Sequence, residues 1–174
     1  MKENSLENKD PKIEIAVPII DWEAYRNIRL DALTKYPEAF GSTLKEAMTK
    51  TNQEWMAELS NDKRFTVLAK IDSSMFGAKS IASAKDKGEG IWHIIGVYTR
   101  PNFLRRGIAE KVVTKVLEEI KRRGGNTATL NVMRGEKQEA ARKMYQKMGF
   151  TELKAKLGAG SYFMGKDLID QSKK

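Results

Sequence analysis

Val97-Tyr98-Thr99-Arg100-Pro101-Asn102-Phe103-Leu104-Arg105-Arg106-Gly107-Ile108-Ala109 is the stretch around which the rest of the chain is organised. It closes a β-rich run over 91–99 and opens the clearest amphipathic helix, expected over 106–123. Pro101 ends the strand, because it cannot donate to a ladder and it restricts the residue before it. The helix then begins among cationic side chains, with Gly107 expected inside its first turn. A helix start leaves about four backbone N–H groups without partners and carries the positive end of the helix dipole. Gly107 has no Cβ, so a ligand can approach its backbone closely. Strand, tight turn and bare helix start together suit an anion, best a phosphate or diphosphate. Taken alone, the same residues also describe an ordinary strand–helix junction.

Composition narrows the classes of function. A chain of 174 residues, 40% hydrophobic and 32% charged, fits one globular domain with a substantial core. No apolar run approaches a membrane span, and MKENSLENKDPK lacks the apolar segment of a signal peptide, so cytoplasmic residence is expected. There is no cysteine, which excludes disulfides, thiolate metal sites and an acyl-cysteine intermediate. His93 is the single histidine, and no nucleophile elbow accompanies it. The net charge of +9 invites a nucleic-acid reading, but Lys and Arg are spread without interleaved aromatics, so no nucleic-acid partner is expected. Cations crowd 100–123: those around the turn can attract a polyanion, whereas Lys121, Arg122 and Arg123 read as a solvated face.

Outward from the organising stretch, alternation marks a first strand over 12–17, closed by Pro18. Asp21 is the expected cap of a helix carrying Trp22, Tyr25, Ile28, Ala32 and Leu33 and stopped by Pro37. Helical material around 44–59 reads equally as one helix or two. Strands are expected over 65–71 and 78–84, joined through Gly77, then over 91–99, 126–132, 150–153 and 161–168, the last two split by a turn at Gly158-Ala159-Gly160. A short helix is expected over 137–148, with Gly149 as its stop. The organisation expected is a flexible leader over 1–11, one domain over 12–169 and a flexible tail over 170–174. Strands and helices interleaved in this way indicate a mixed α/β (α+β) sheet covered on both faces, with a parallel crossover between the strands at 91–99 and 126–132.

A second motif, Gln138-Glu139-Ala140-Ala141-Arg142-Lys143-Met144-Tyr145-Gln146-Lys147-Met148-Gly149-Phe150, is by itself a core-facing helix with an i, i+4 pair at Ala141 and Tyr145. Together the two stretches resemble the GNAT superfamily of N-acetyltransferases. That family reads [QR]-x-x-G-x-[GA] where this chain has Leu104-Arg105-Arg106-Gly107-Ile108-Ala109, and [NQ]-x-x-A-x-x-x-Y-x-K-x-G-F where it has residues 138–150. Leu104 departs from the family's Gln or Arg; every fixed position of the second motif is matched. The pattern Arg29-Leu30-Asp31-Ala32-Leu33 followed by Pro37-Glu38-Ala39-Phe40-Gly41 also resembles the family's N-terminal region, which walls the acceptor site.

The resemblance implies a single-domain, mostly antiparallel sheet of about seven strands flanked by helices, with the fourth and fifth splayed to admit the pantetheine arm of coenzyme A. It implies an N-acetyltransferase that moves an acetyl group from acetyl-CoA to a primary amine, of a small molecule or a protein, in a ternary complex. The alternative is a non-catalytic acyl-CoA-binding or regulatory module of the same fold. The implied cofactor contacts are Val97, Tyr98, Thr99, Leu104, Arg105, Arg106, Gly107, Ile108, Ala109, Gln138 and Tyr145. Glu38 and Phe40 are the implied substrate contacts. Amine attack on a thioester builds charge on the carbonyl oxygen, which backbone N–H groups near Val97 to Thr99 can polarise. Tyr145 is the candidate general acid for the leaving sulfur, and no step needs a metal. His93 is the candidate base, against a plain strand histidine and against Glu38, Glu89 or bulk-connected water. Acetyl-CoA and an amine are the expected partners; no membrane partner is expected, and a homodimer stays open.

Overall fold

The computed structural model describes residues 9–154 and 160–169. The leader ahead of Lys9, most of the turn at Gly158-Ala159-Gly160 and the tail lie outside the described residues. Among these residues seven strands form one sheet: β1 (Lys12–Ile15), β2 (Arg64–Lys70), β3 (Ala78–Asp86), β4 (Ile91–Thr99), β5 (Thr127–Met133), β6 (Thr151–Glu152) and β7 (Ser161–Asp167), in the order β1-β2-β3-β4-β5-β7-β6. All neighbours are antiparallel except β4 and β5, which pair in parallel across the expected crossover.

Among the described residues five α-helices cover the two faces. On one lie α1 (Pro18–Lys35), α2 (Leu44–Met48) and α3 (Asn52–Leu59), which enclose a core of Tyr25, Ile28, Leu33, Trp55, Leu68 and Ile81. On the other lie α4 (Ile108–Arg122) and α5 (Glu136–Lys147), over Phe65, Val67, Ala82, Trp92, Ile94, Leu130 and Met164. Leu68 faces one core while Val67 and Ala69 face the other, so β2 is buried on both faces and reads as an unbroken apolar run. The stripe on α4, Val112, Val113, Val116, Leu117 and Ile120, is buried, each side chain contributing about 1.5–3 kcal/mol of transfer free energy.

Local chemistry moves several boundaries. The first strand stops at Ile15, short of the expected 17, and Pro18 opens α1, since the first helical position needs no N–H. Asp21 is therefore not the cap. It lies one turn inside, where Oδ2 accepts the Val17 N–H (2.7 Å) and Oδ1 accepts from Lys70 Nζ (2.5 Å). Residues 44–59 form two helices, because Thr43 with Glu46 and Thr51 with Glu54 each build a reciprocal capping box. Gly107 is not inside the first turn of α4 but is its N-cap, at φ +69°. Arg122 and Arg123 are not simply a solvated face. Both donate at 2.7 Å to the buried carboxylate of Glu119, which Arg122 chiefly holds ionised, with a pKa lowered to about 2. Arg123 also lies over the Phe65 ring, 4.8 Å from its centroid.

Candidate active site

The site begins where two parallel strands part. β4 and β5 are in register from Ile91 with Thr127 to Ile94 with Leu130, and no further. Beyond that point β5 continues against β7 through Met133, and β4 continues against β3 through Thr99. The parting coincides with a β-bulge: the register of β4 on β3 slips by one residue between Ile95 and Tyr98. Gly96, at φ +64°, supplies the left-handed conformation that such a bulge takes. A glycine inside a strand was the sequence signal for it.

Alternation then assigns the open edge of β4. The Arg100 N–H donates to Lys79 O on β3 at 2.9 Å. Residues two apart turn their backbone groups the same way, so Tyr98 also faces β3 while Val97 and Thr99 turn theirs toward the opening. The side chains of this segment are engaged elsewhere. Tyr98 is buried against α1 and its hydroxyl donates to Asp31 Oδ2 (2.6 Å); burial first, and this carboxylate second, push its pKa up. Thr99 Oγ1 shares a hydrogen bond with Ser80 Oγ (2.7 Å). Arg100 pairs with Asp31 (3.0 Å) and donates to Asn27 (2.6 Å), so it braces the strand end against α1. Of the three candidates Val97, Tyr98 and Thr99, the backbones of Val97 and Thr99 face the opening.

The turn follows immediately. Phe103 is buried beneath it, with the Arg106 guanidinium 4.7 Å from its ring centroid. Leu104, Arg105, Arg106 and Gly107 are exposed, whereas Ile108 enters the core and Ala109 is half-buried. Arg105 at φ +61° and Gly107 at φ +69° curl the chain so that the helix starts without a side-chain cap. The first bond within the helix is from Lys111 N–H to Gly107 O, so the amides of Ile108, Ala109 and Glu110 have no acceptor inside α4. A Cβ added at Gly107 would meet nothing within 4 Å. Bare amides beside open space fit a diphosphate, and they do so without the side chain of Leu104.

Tyr145 and His93 reach the seam from opposite faces of the sheet. Tyr145 of α5 is buried with Ile94, Leu130 and Val132, its ring edge-on to Phe150 at 5.8 Å. Its hydroxyl makes no hydrogen bond among the described residues, and burial pushes its pKa up. His93 lies between Trp92 and Ile94, whose side chains face α4, and so points to the other side. There Nδ1 stands 2.9 Å from Thr129 Oγ1, on the strand partner directly opposite. Burial, then Lys87 and Lys85, lower its pKa. Gln138, in the first turn of α5, is half-buried.

Glu38 is exposed on a single 3-10 turn at Pro37–Ala39, and Phe40 is half-buried with the Arg29 guanidinium 5.1 Å from its ring centroid. Glu89 sits in the exposed β3–β4 turn. Thr129 carries no motif signal as a site residue, and Arg29 belongs to the N-terminal pattern without being singled out by it, yet both stand at the seam. Arg29 Nη1 lies 3.1 Å from where a Cβ on Gly96 would be. A separate cavity of about 510 Å³ runs along the outward face of α4 against Ile13 and shares Gly107 with the turn, but holds neither Tyr145 nor His93.

Residues 22–150 match the model of the acetyltransferase (GNAT) family. No curated protein matches the chain. Similar solved structures include the PaiA N-acetyltransferase of Thermoplasma acidophilum in complex with coenzyme A, at 16% identity and TM-score 0.67, over 90% of this chain and 99% of that one. A GNAT-family acetyltransferase from Streptococcus pneumoniae aligns at 19% identity and TM-score 0.68, over 90% and 98%. An aminoglycoside 6'-N-acetyltransferase complexed with coenzyme A aligns at 16% identity and TM-score 0.68, over 92% and 98%. At these identities the likeness is one of fold.

Proposed function

The chain belongs to the acetyltransferase (GNAT) family, and from that premise we propose that it transfers an acetyl group from acetyl-CoA to a primary amine by direct attack within a ternary complex. The observation that carries this reading is the parting of β4 from β5 beyond Ile94 and Leu130, directly beside the bare start of α4. Acetyl-CoA supplies an activated thioester. The amides of Ile108 and Ala109, with Gly107, hold its diphosphate. The N–H groups of Val97 and Thr99 orient the thioester arm along the open edge and polarise its carbonyl.

Protons move at two named atoms. Thr129 Oγ1 also lies 3.5 Å from the Trp92 carbonyl, to which its single proton can turn. His93 then donates from Nδ1 to that hydroxyl, and Nε2 keeps the lone pair that accepts a proton from the ammonium. As the N–C bond forms and the C–S bond breaks, the electron pair leaves on sulfur and Tyr145 supplies the proton that makes the thiol. The nitrogen's remaining proton restores the phenol through solvent, for a net release of one proton. The raised pKa keeps the phenol protonated across the working range, so its proton is in place when charge develops on the departing sulfur. Base and acid on opposite faces suit an amine and a leaving thiol on opposite sides of one carbonyl carbon.

Thiol release with a disulfide reagent tests the reading without background, because the chain has no cysteine. Release that depends on an amine, with intersecting double-reciprocal lines, is expected. Parallel lines would indicate an acetylated protein and overturn direct transfer; acetyl-CoA binding without turnover of any amine would leave a binding module.

A further inference from the structure

The face of the seam opposite Tyr145 carries a cation that the transfer steps above do not use. Arg29 of α1 donates from Nη2 to Ser42 Oγ at 3.0 Å and stacks on Phe40, while Nη1 stands against the bulge at Gly96. Gly96 is two residues past Ile94, so the guanidinium sits at the mouth of the opening and next to Val97, whose amide faces it. Among the described residues Arg29 makes no ion pair. Burial pulls its pKa down, and Glu58, the carboxylate whose field reaches it, is already engaged by Tyr25 (2.6 Å), Arg64 and Lys50. A guanidinium has five N–H donors, of which Ser42 takes one. A half-buried cation without a counter-charge is costly unless something supplies one.

The strand beside His93, on the same face, adds further cations. Lys85 stands opposite His93 on the neighbouring strand. Its own pKa is lowered by burial, then by Arg64 and Lys87, and His93 in turn feels Lys87 and Lys85. A polyamine or aminoglycoside, with further ammonium groups near the one that reacts, would meet repulsion on this face. An anion close to the amine would meet a donor fork whose geometry matches a carboxylate.

We propose that the acceptor is an amine bearing a carboxylate close to its amino group, of the amino-acid class, and that Arg29, at the bulge where β4 leaves β5, binds that carboxylate. This inference rests on the reading of the chain as an acetyl-CoA-dependent amine acetyltransferase. The short span from Gly96 to Val97 sets the separation. An anion on Arg29 lies within a few ångströms of a carbonyl held by the Val97 amide, which suits an α-amino acid better than a long diamine.

The test compares the common amino acids with their carboxamides, alongside spermidine and an aminoglycoside, by thiol release in the intact protein. The free acid is expected to exceed its amide by roughly 10²-fold in kcat/KM. The amide's amine is the less basic and is more often neutral, so the comparison is biased against the expected result. Arg29→Gln should abolish the difference by raising KM for the acid, with acetyl-CoA affinity unchanged by calorimetry, and Arg29→Lys should restore part of it. Equal rates for acid and amide in the wild type, a preference for spermidine or the aminoglycoside, or turnover of no carboxylate-bearing amine would overturn the proposal, whether or not the variants fold. Failure of the wild type to bind acetyl-CoA in calorimetry would instead remove the underlying reading, and the proposal with it.

Discussion

Because Tyr145 and His93 approach the seam from opposite faces, the proton transfers proposed for them can be separated by mutation. The Tyr145 hydroxyl has no hydrogen-bond partner among the described residues, so Tyr145→Phe strands nothing and keeps the ring against Phe150. The expected outcome is a loss of roughly 10²–10⁴-fold in kcat with acetyl-CoA affinity held, read by steady-state kinetics and calorimetry. A wild-type rate under chemistry-limited conditions would return Tyr145 to the core. His93 gives a pH signature instead. A base works only when neutral, so activity falls as pH drops through its folded pKa. Burial, Lys87 and Lys85 lower that pKa, which places the acidic limb below the ordinary histidine value of about 6.5. Lys87→Gln should move the limb upward, and His93→Gln should remove it; an unaltered profile in both would assign the base elsewhere. Both residues were named as candidates from the sequence, one from a motif and one from being the single histidine. Their arrangement was not: which face His93 takes, and that Thr129 stands opposite it, follow from a parallel register that no local pattern encodes.

At the scale of elements, the turn between β4 and α4 was the most readable part of the chain, because Pro101 and Gly107 act locally and punctuate strongly. The error there was one of placement. Gly107 in the left-handed region is a cap, not a first-turn residue, and that makes the anion site stricter. An L-residue in that conformation costs about 1–2 kcal/mol, while a Cβ there meets no protein atom within 4 Å. Gly107→Ala should therefore lower Tm by a few degrees through strain and, separately, weaken coenzyme A binding by more than about tenfold, because the methyl group occupies the ligand's side. Gly124→Ala is the control. It has the same strain at φ +81° and the same open space, at the other end of α4, so it should lose similar stability with coenzyme A affinity intact. Equal effects of the two on affinity would detach the turn from the ligand. Leu104→Ala should change neither quantity, since that exposed side chain meets no proposed contact. The two capping boxes of α2 and α3 were written in the sequence as Thr43 with Glu46 and Thr51 with Glu54, and they decide between one helix and two. The bulge at Gly96 was only half-written: a glycine in a strand signals an irregularity but not which neighbour the strand will leave.

The molecule as a whole is one sheet in two parts, joined along a short seam. β1 to β4 with α1 to α4 form the larger part; β5, β6 and β7 with α5 form the smaller, and the strands connect them through only the pairs from Ile91–Thr127 to Ile94–Leu130. A mixed sheet covered on both faces was legible from the order of elements, since short hairpins imply antiparallel neighbours and a strand–helix–strand unit implies a parallel one. The strand order at the far edge, with β7 between β5 and β6, was not, because it depends on long-range pairing. This architecture predicts a global response to ligand. A thioester arm lying along the opening would use the β4 groups that the parting leaves unpaired, and so bridge the two parts. Ligand at about 100 times its Kd stabilises the folded state by about 2.7 kcal/mol, and for a chain of this size each kcal/mol is worth roughly 2–4 °C. Coenzyme A at that saturation should therefore raise Tm by roughly 5–10 °C in a single cooperative transition. Hydrogen exchange should slow specifically at the Val97 and Thr99 amides, which face the opening, and not at Tyr98, which already faces β3. A rise in Tm with those two amides unprotected would put the ligand elsewhere, the cavity beside Ile13 on the outward face of α4 being the next place to look.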